Sequence, residues 1–147
     1  MSDECYLYGA ILGVFGTTDD WYGPFERNAR VIGSLPDNDD APPLTKRMFA
    51  LPERYGEPGF YRYQVIHFGA SFSHFADDWH VWLEKFEALL RRLCWFEVHL
   101  HLNAGIGGGE HRYTWRASPD QLARMRQNPP LPPERWDFQG GPRKLSA

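Results

Sequence analysis

Three things are scarce in this 147-residue chain, and each scarcity removes a class of function. Cysteine is nearly absent. Cys5 and Cys94 stand far apart without C-x-x-C spacing, which excludes a disulfide framework or a zinc knuckle and fits a reducing cytoplasm. Long apolar runs are also missing. The longest, Tyr6 to Phe15, is too short to cross a bilayer, and the acidic start MSDECYLYG lacks the basic segment that opens a signal peptide. Basic charge is the third shortage. With 16 Lys and Arg against 19 Asp and Glu, the chain carries a net −3 and has no general electrostatic grip on nucleic-acid phosphates. The expected molecule is one cytoplasmic domain, able to bury a core without disulfides, with neither nucleic acid nor membrane as partner.

The charge is distributed unevenly. Up to His80 there are 6 basic and 12 acidic residues, a net of −6, whereas from Val81 onward there are 10 and 7, a net of +3. An acidic front half suits a basic partner, unless the fold mixes both halves over one surface. Aromatics are plentiful, with six Trp, seven Tyr and ten Phe. A surplus beyond the needs of the core tends to serve recognition, because rings supply contact area at low entropic cost.

Periodicity organises the middle of the chain. Trp79, Trp82, Leu83, Phe86, Leu89, Leu90 and Leu93 form one apolar stripe at helical spacing, with Asp77 and Asp78 at its positive end and Arg91 and Arg92 at its negative end. Glu87 and Arg91 are spaced for an i,i+4 pair. From Trp95 to Leu102 the period changes to two, placing Glu97, His99 and His101 on one face and Phe96, Val98, Leu100 and Leu102 on the other. Tyr6 to Phe15, apolar on both faces, predicts a central strand. Pro24 suits the first turn of a helix carrying Trp21, Phe25, Ala29 and Ile32 inward. Short strands are expected at Met48 to Leu51, Phe60 to Phe68 and Glu110 to Arg116. Ser118 and Gln121 form a capping box, with Pro119 between them at the first helical position. The pattern predicts a single α+β domain over residues 1–128, a mainly antiparallel sheet with two to three helices packed on one face. Residues 129–147 form a proline-rich tail packed on it or extending from it, tacked down by Trp136 and Phe138.

No specific catalytic motif is present. GIGGG would cradle phosphate only with a helix after it, and the segment that follows reads as a strand. Cys94 falls at a helix C-terminus, where the dipole disfavours a thiolate. Gly69-Ala70-Ser71-Phe72 breaks the nucleophile-elbow pattern, and FYRYQVIHF lacks the glycine–aromatic signature of RNA-binding sheets. A metal site would use Glu97, His99 and His101 with His67 or His111 from neighbouring strands; otherwise this strip is a partner-facing polar surface. The acidic loop Asp37, Asp39 and Asp40 is a second candidate contact, without the glycine and distant glutamate of a calcium loop. The PPLPP tract could dock a polyproline-binding domain or merely cap the surface. No metal or other cofactor is expected.

The stretch Gly59 to Trp115, with YRYQVIHF, WHVWLEKFEALLRRLCWFEVHLHL and GEHRYTW, resembles the small α+β immunity proteins of bacterial polymorphic-toxin and contact-dependent secretion systems. It covers a little over a third of the chain and carries no catalytic motif. The resemblance implies a cytoplasmic antitoxin that binds and neutralises one cognate toxin, with Asp37, Asp39, Asp40, Glu97, His99 and His101 as candidate partner-binding residues from the reading above. The alternatives are a small metal-dependent or hydrolytic enzyme using the Glu97, His99, His101 face, or a non-catalytic adaptor subunit.

Overall fold

Alternation at period two decides which side of the sheet is buried. In the first strand Cys5, Leu7 and Ile11 turn inward and Tyr6 and Tyr8 turn outward. The computed structural model describes residues 5–13, 22–40, 42–52, 56, 60, 63–72, 79–103, 109–127 and 137–141. Among them, β1 (Cys5–Gly13), β2 (Phe49–Ala50), β3 (Gln64–Phe72), β4 (Glu97–Asn103), β5 (Glu110–Arg116) and β6 (Asp137–Gly140) form one antiparallel sheet in the order β2-β3-β1-β4-β5-β6. The helices are α1 (Gly23–Gly33), α2 (Trp79–Leu90) and α3 (Pro119–Gln127), with a 3₁₀ turn at Lys46–Met48. The expected α+β domain is therefore present. The turn expected at Thr17 to Asp20, Trp21, Asp77, Asp78, most of the GIGGG connection, the PPLPP tract and Trp136 lie outside the described residues.

All three helices add to one core. Val31 and Ile32 of α1, the whole apolar stripe of α2 and Leu122 of α3 pack with the inward residues of the strands. Each fully buried Leu or Phe of the α2 stripe contributes about 1.5–3 kcal/mol of gross transfer energy, which makes this helix the anchor of the fold. Its ring system is continuous: Phe86 meets Phe68, Trp82 and Trp115 at centroid distances of 5.0, 4.9 and 5.4 Å.

The described tryptophans are all core residues, and each indole N–H has an acceptor. Trp79 donates to the Tyr113 hydroxyl (2.9 Å), Trp82 to the Pro43 carbonyl (3.0 Å), Trp95 to the Leu90 carbonyl (2.8 Å) and Trp115 to Glu87 (3.0 Å). Buried indoles need such partners, and Trp95 shares the Leu90 carbonyl at the end of α2 with the Leu93 N–H. The large aromatics left exposed among the described residues are tyrosines: Tyr6, Tyr8 and Tyr63.

Four expectations are corrected. Ala29 is exposed and Asn28 occupies the inward position. The reason is a polar junction: Asn28 accepts from the Cys94 N–H (2.8 Å) and donates to the Cys94 carbonyl (2.9 Å) and to Gln64 Oε1 (3.1 Å). Glu87 turns inward to Trp115 instead of outward to Arg91, because a buried indole is the more demanding partner. β1 is central in the sheet as expected but is not buried along both faces, since Tyr6 and Tyr8 are exposed. The proline-rich tail contributes a strand, β6, paired with β5, while Phe138 packs on Tyr113 and Trp115 as expected.

Cys5 and Cys94 are both buried, and neither forms a disulfide. The capping box at the start of α3 is made as expected, with Gln121 N–H donating to Ser118 Oγ (3.2 Å) and Ser118 N–H to Gln121 Oε1 (2.9 Å). No helix among the described residues is long and apolar enough to cross a membrane.

Candidate functional site

With the helices on one side, the second side of the sheet is built from the outward residues of β1, β4 and β5. Register arranges them in rows. Tyr8, His101 and Arg112 are cross-strand partners in one row, and Ala10, His99 and Thr114 in the next. Leu12, Glu97 and Arg116 form a third row, and Tyr6, Asn103 and Glu110 a fourth. Side chains directly opposite on one face stand about 4.5–5.5 Å apart at Cβ, close enough to interact.

They do interact. Tyr8 stacks on His101 with centroids 4.8 Å apart and planes 12° from parallel, and Tyr6 lies beside Tyr8 at 6.3 Å and 10°. The Tyr6 hydroxyl accepts a long hydrogen bond from Asn103 (3.4 Å). Glu97 is held from two sides: Arg116 Nε donates to Oε1 at 2.7 Å, and His99 Nε2 lies 2.8 Å from Oε2. These two contacts, the arginine first, hold the Glu97 carboxyl below the ordinary carboxylate range. His101 Nε2 approaches Glu110 only to 4.0 Å.

Over this network lies a depression of about 380 Å³, lined by Tyr8, Gly9, His99, Leu100, His101, Arg112, Tyr113 and Thr114. Gly9 permits the close packing beneath it. A Cβ there would collide with the His99 carbonyl oxygen and lie 2.7 Å from the Phe68 ring.

The depressed Glu97 carboxyl has a testable cause. Arg116→Gln should raise it towards the usual carboxylate range near 4, read as a shifted Glu97 carboxyl titration by ¹³C NMR. Because the folded value is the lower one, the Arg116–Glu97 contact stabilises the fold above the ordinary carboxylate pKa and loses that effect as pH falls through the folded value. An unchanged titration would assign the shift to another group.

The sequence-derived candidates divide between the two sides of the molecule. Glu97, His99 and His101 share the open face as their alternation predicts. Asp37, Asp39 and Asp40 belong to a loop folded onto α2, on the helical side. Lys85 of α2 donates to Asp39 (2.9 Å) and to the Asp40 and Pro42 carbonyls (3.0 Å each). Asp39 also accepts from the Leu44 N–H (2.9 Å), and Asp37 pairs with Lys46 at 3.3 Å. The Lys85 and Leu44 contacts hold the Asp39 carboxyl below its ordinary range. Two of the three loop carboxylates are thus matched by lysines of the same chain, which reduces the field the loop projects.

The extra histidines do not complete a metal set. His67 and His99 both pair with Ala10, one on each side of β1, so two strand spacings of about 4.8 Å separate them. His111 pairs with Leu102 and has the inward parity of Tyr113 and Trp115. No group of three or more His, Cys, Asp or Glu able to hold a metal ion occurs among the described residues.

Tyr6, Tyr8, Arg112, Thr114 and Arg116 were not singled out by motif. Their signal is the alternation within β1 and β5, which becomes informative only once register joins those strands to β4. No protein-family model, curated protein or solved structure matches this chain.

Proposed function

We propose that this protein is a cytoplasmic immunity protein that binds and blocks one cognate bacterial toxin by protein–protein contact, with the open face of the sheet as the contacting surface. The observation that carries this reading is the company of side chains on that face. Tyr6 and Tyr8 are 43% and 53% exposed on the same face as Arg112 and Arg116, and tyrosine and arginine are enriched at binding hot spots. Their ordering is largely complete before any partner arrives. The rings stack on one another and on His101, and Arg116 is fixed by Glu97, so little side-chain entropy remains to be lost on binding. The lysine-matched acidic loop is the weaker candidate for the same role.

A hydrolytic enzyme has one observation in its favour. Glu97 orients His99 beside a depression that also holds Arg112, an arrangement a general base requires. The two readings separate in one experiment. Co-expression with the toxin encoded by an adjacent gene should restore growth and give an equimolar complex, and His99→Ala should leave that protection largely intact. Absence of both rescue and complex would reject the immunity reading.

A further inference from the structure

The depression on the open face has a chemical bias independent of any protein partner. Of the side chains that line it, Arg112, His101, His99, Thr114 and Tyr8 all carry hydrogen-bonding groups, and none is a carboxylate. The nearby acids stand outside the lining. Glu97 is committed to Arg116 and His99, and Glu110 lies 4.0 Å from His101 at the rim. Arg112, by contrast, forms no ion pair among the described residues. Cross-strand register sets the Arg112 side chain in the same row as His101 and one row from Thr114.

We propose that this depression is an oxyanion-binding site, taking a carboxylate or phosphoryl group carried on a small ligand. The Arg112 guanidinium supplies a planar fork of donors suited to two oxygens of such a group. The Thr114 hydroxyl and an imidazole N–H of His101 supply further donors, and the Tyr8 ring, stacked on His101, forms an apolar wall. A volume of about 380 Å³ exceeds what a bare phosphate or acetate fills and falls in the range of small-molecule sites, so the anion is one end of a larger ligand. The site does not depend on the immunity reading and is tested without a toxin.

Titration of the full chain with inorganic phosphate and, separately, with acetate tests it by ¹H–¹⁵N NMR, with sodium chloride at matched ionic strength as the control. Saturable shifts are expected at His101, Arg112 and Thr114, with a dissociation constant on the order of 1 mM for so small a probe. Arg112→Gln should weaken binding about tenfold, the loss of one charge-assisted contact, while keeping a dispersed wild-type spectrum because Arg112 is exposed. Arg124→Gln, an exposed site on α3, should leave the affinity unchanged. Saturation by phosphate alone would assign a phosphoryl ligand, and saturation by both anions a site for either group. Shifts that match the chloride control, or that persist unaltered in Arg112→Gln, would overturn the proposal.

Discussion

Phe86→Ala should destabilise the fold by ~3–5 kcal/mol, the usual cost of truncating a fully buried phenylalanine. Phe86 is entirely shielded from solvent and sits where α2 meets the sheet, touching Phe68 of β3, Trp82 of its own helix and Trp115 of β5. Removing the ring forfeits transfer energy and leaves a cavity whose walls are large rings that cannot easily collapse into it. For a domain of this size the loss corresponds to a fall in Tm of about 10 °C. A urea or thermal melt superimposable on wild type would place the core elsewhere.

Asn28→Ala should cost nearly as much, about 3 kcal/mol, although it removes little apolar area. Asn28 is fully buried and serves the N–H and the C=O of Cys94, in the link between α2 and β4, while also donating to Gln64. Alanine strands a buried N–H and a buried C=O, and each unsatisfied group costs ~1–3 kcal/mol. Asn28→Asp sharpens the test. It keeps the acceptor for the Cys94 N–H but sets a carboxylate against two acceptor oxygens. Burial raises that carboxyl in the folded state, so its folded pKa exceeds the unfolded one. The stability deficit relative to wild type at the same pH should therefore be smallest in acid and grow as pH rises through the folded value. A deficit independent of pH would show that the aspartate turns out to solvent.

Local periodicity made much of this fold legible. The α2 stripe is buried as its spacing requires, the alternation of Glu97 to Leu102 sorts polar from apolar faces, and the Ser118–Gln121 box opens α3. What escaped was non-local. β6 lies among prolines and glycines and is stabilised by pairing with β5 and by Phe138 on the Tyr113 and Trp115 rings. Asn28 is inward because of a peptide 66 residues away. Glu87 looks like a surface helix charge until Trp115 is placed above it. The site follows the same division. Glu97, His99 and His101 could be assigned to one face from β4 alone, but nothing in β4 specifies that Tyr8 and Arg112 flank His101, or that Arg116 reaches Glu97. The acidic loop shows the converse: its charges are conspicuous in the sequence, and the lysines that match two of them arrive only through folding.

The central claim is that the open sheet face, not the acidic loop, contacts the partner. Affinity for the proposed toxin partner, measured for Tyr8→Ala and for the triple variant Asp37→Asn, Asp39→Asn, Asp40→Asn, tests it most directly. Tyr8 is a rigid, half-exposed ring, and its removal should weaken binding by about 2 kcal/mol, roughly 30-fold. The loop variant should change affinity by less than about threefold, as expected of charges away from the interface or exposed at its rim. A loop variant that loses binding while Tyr8→Ala retains wild-type affinity would contradict the account and move the interface to the helical side.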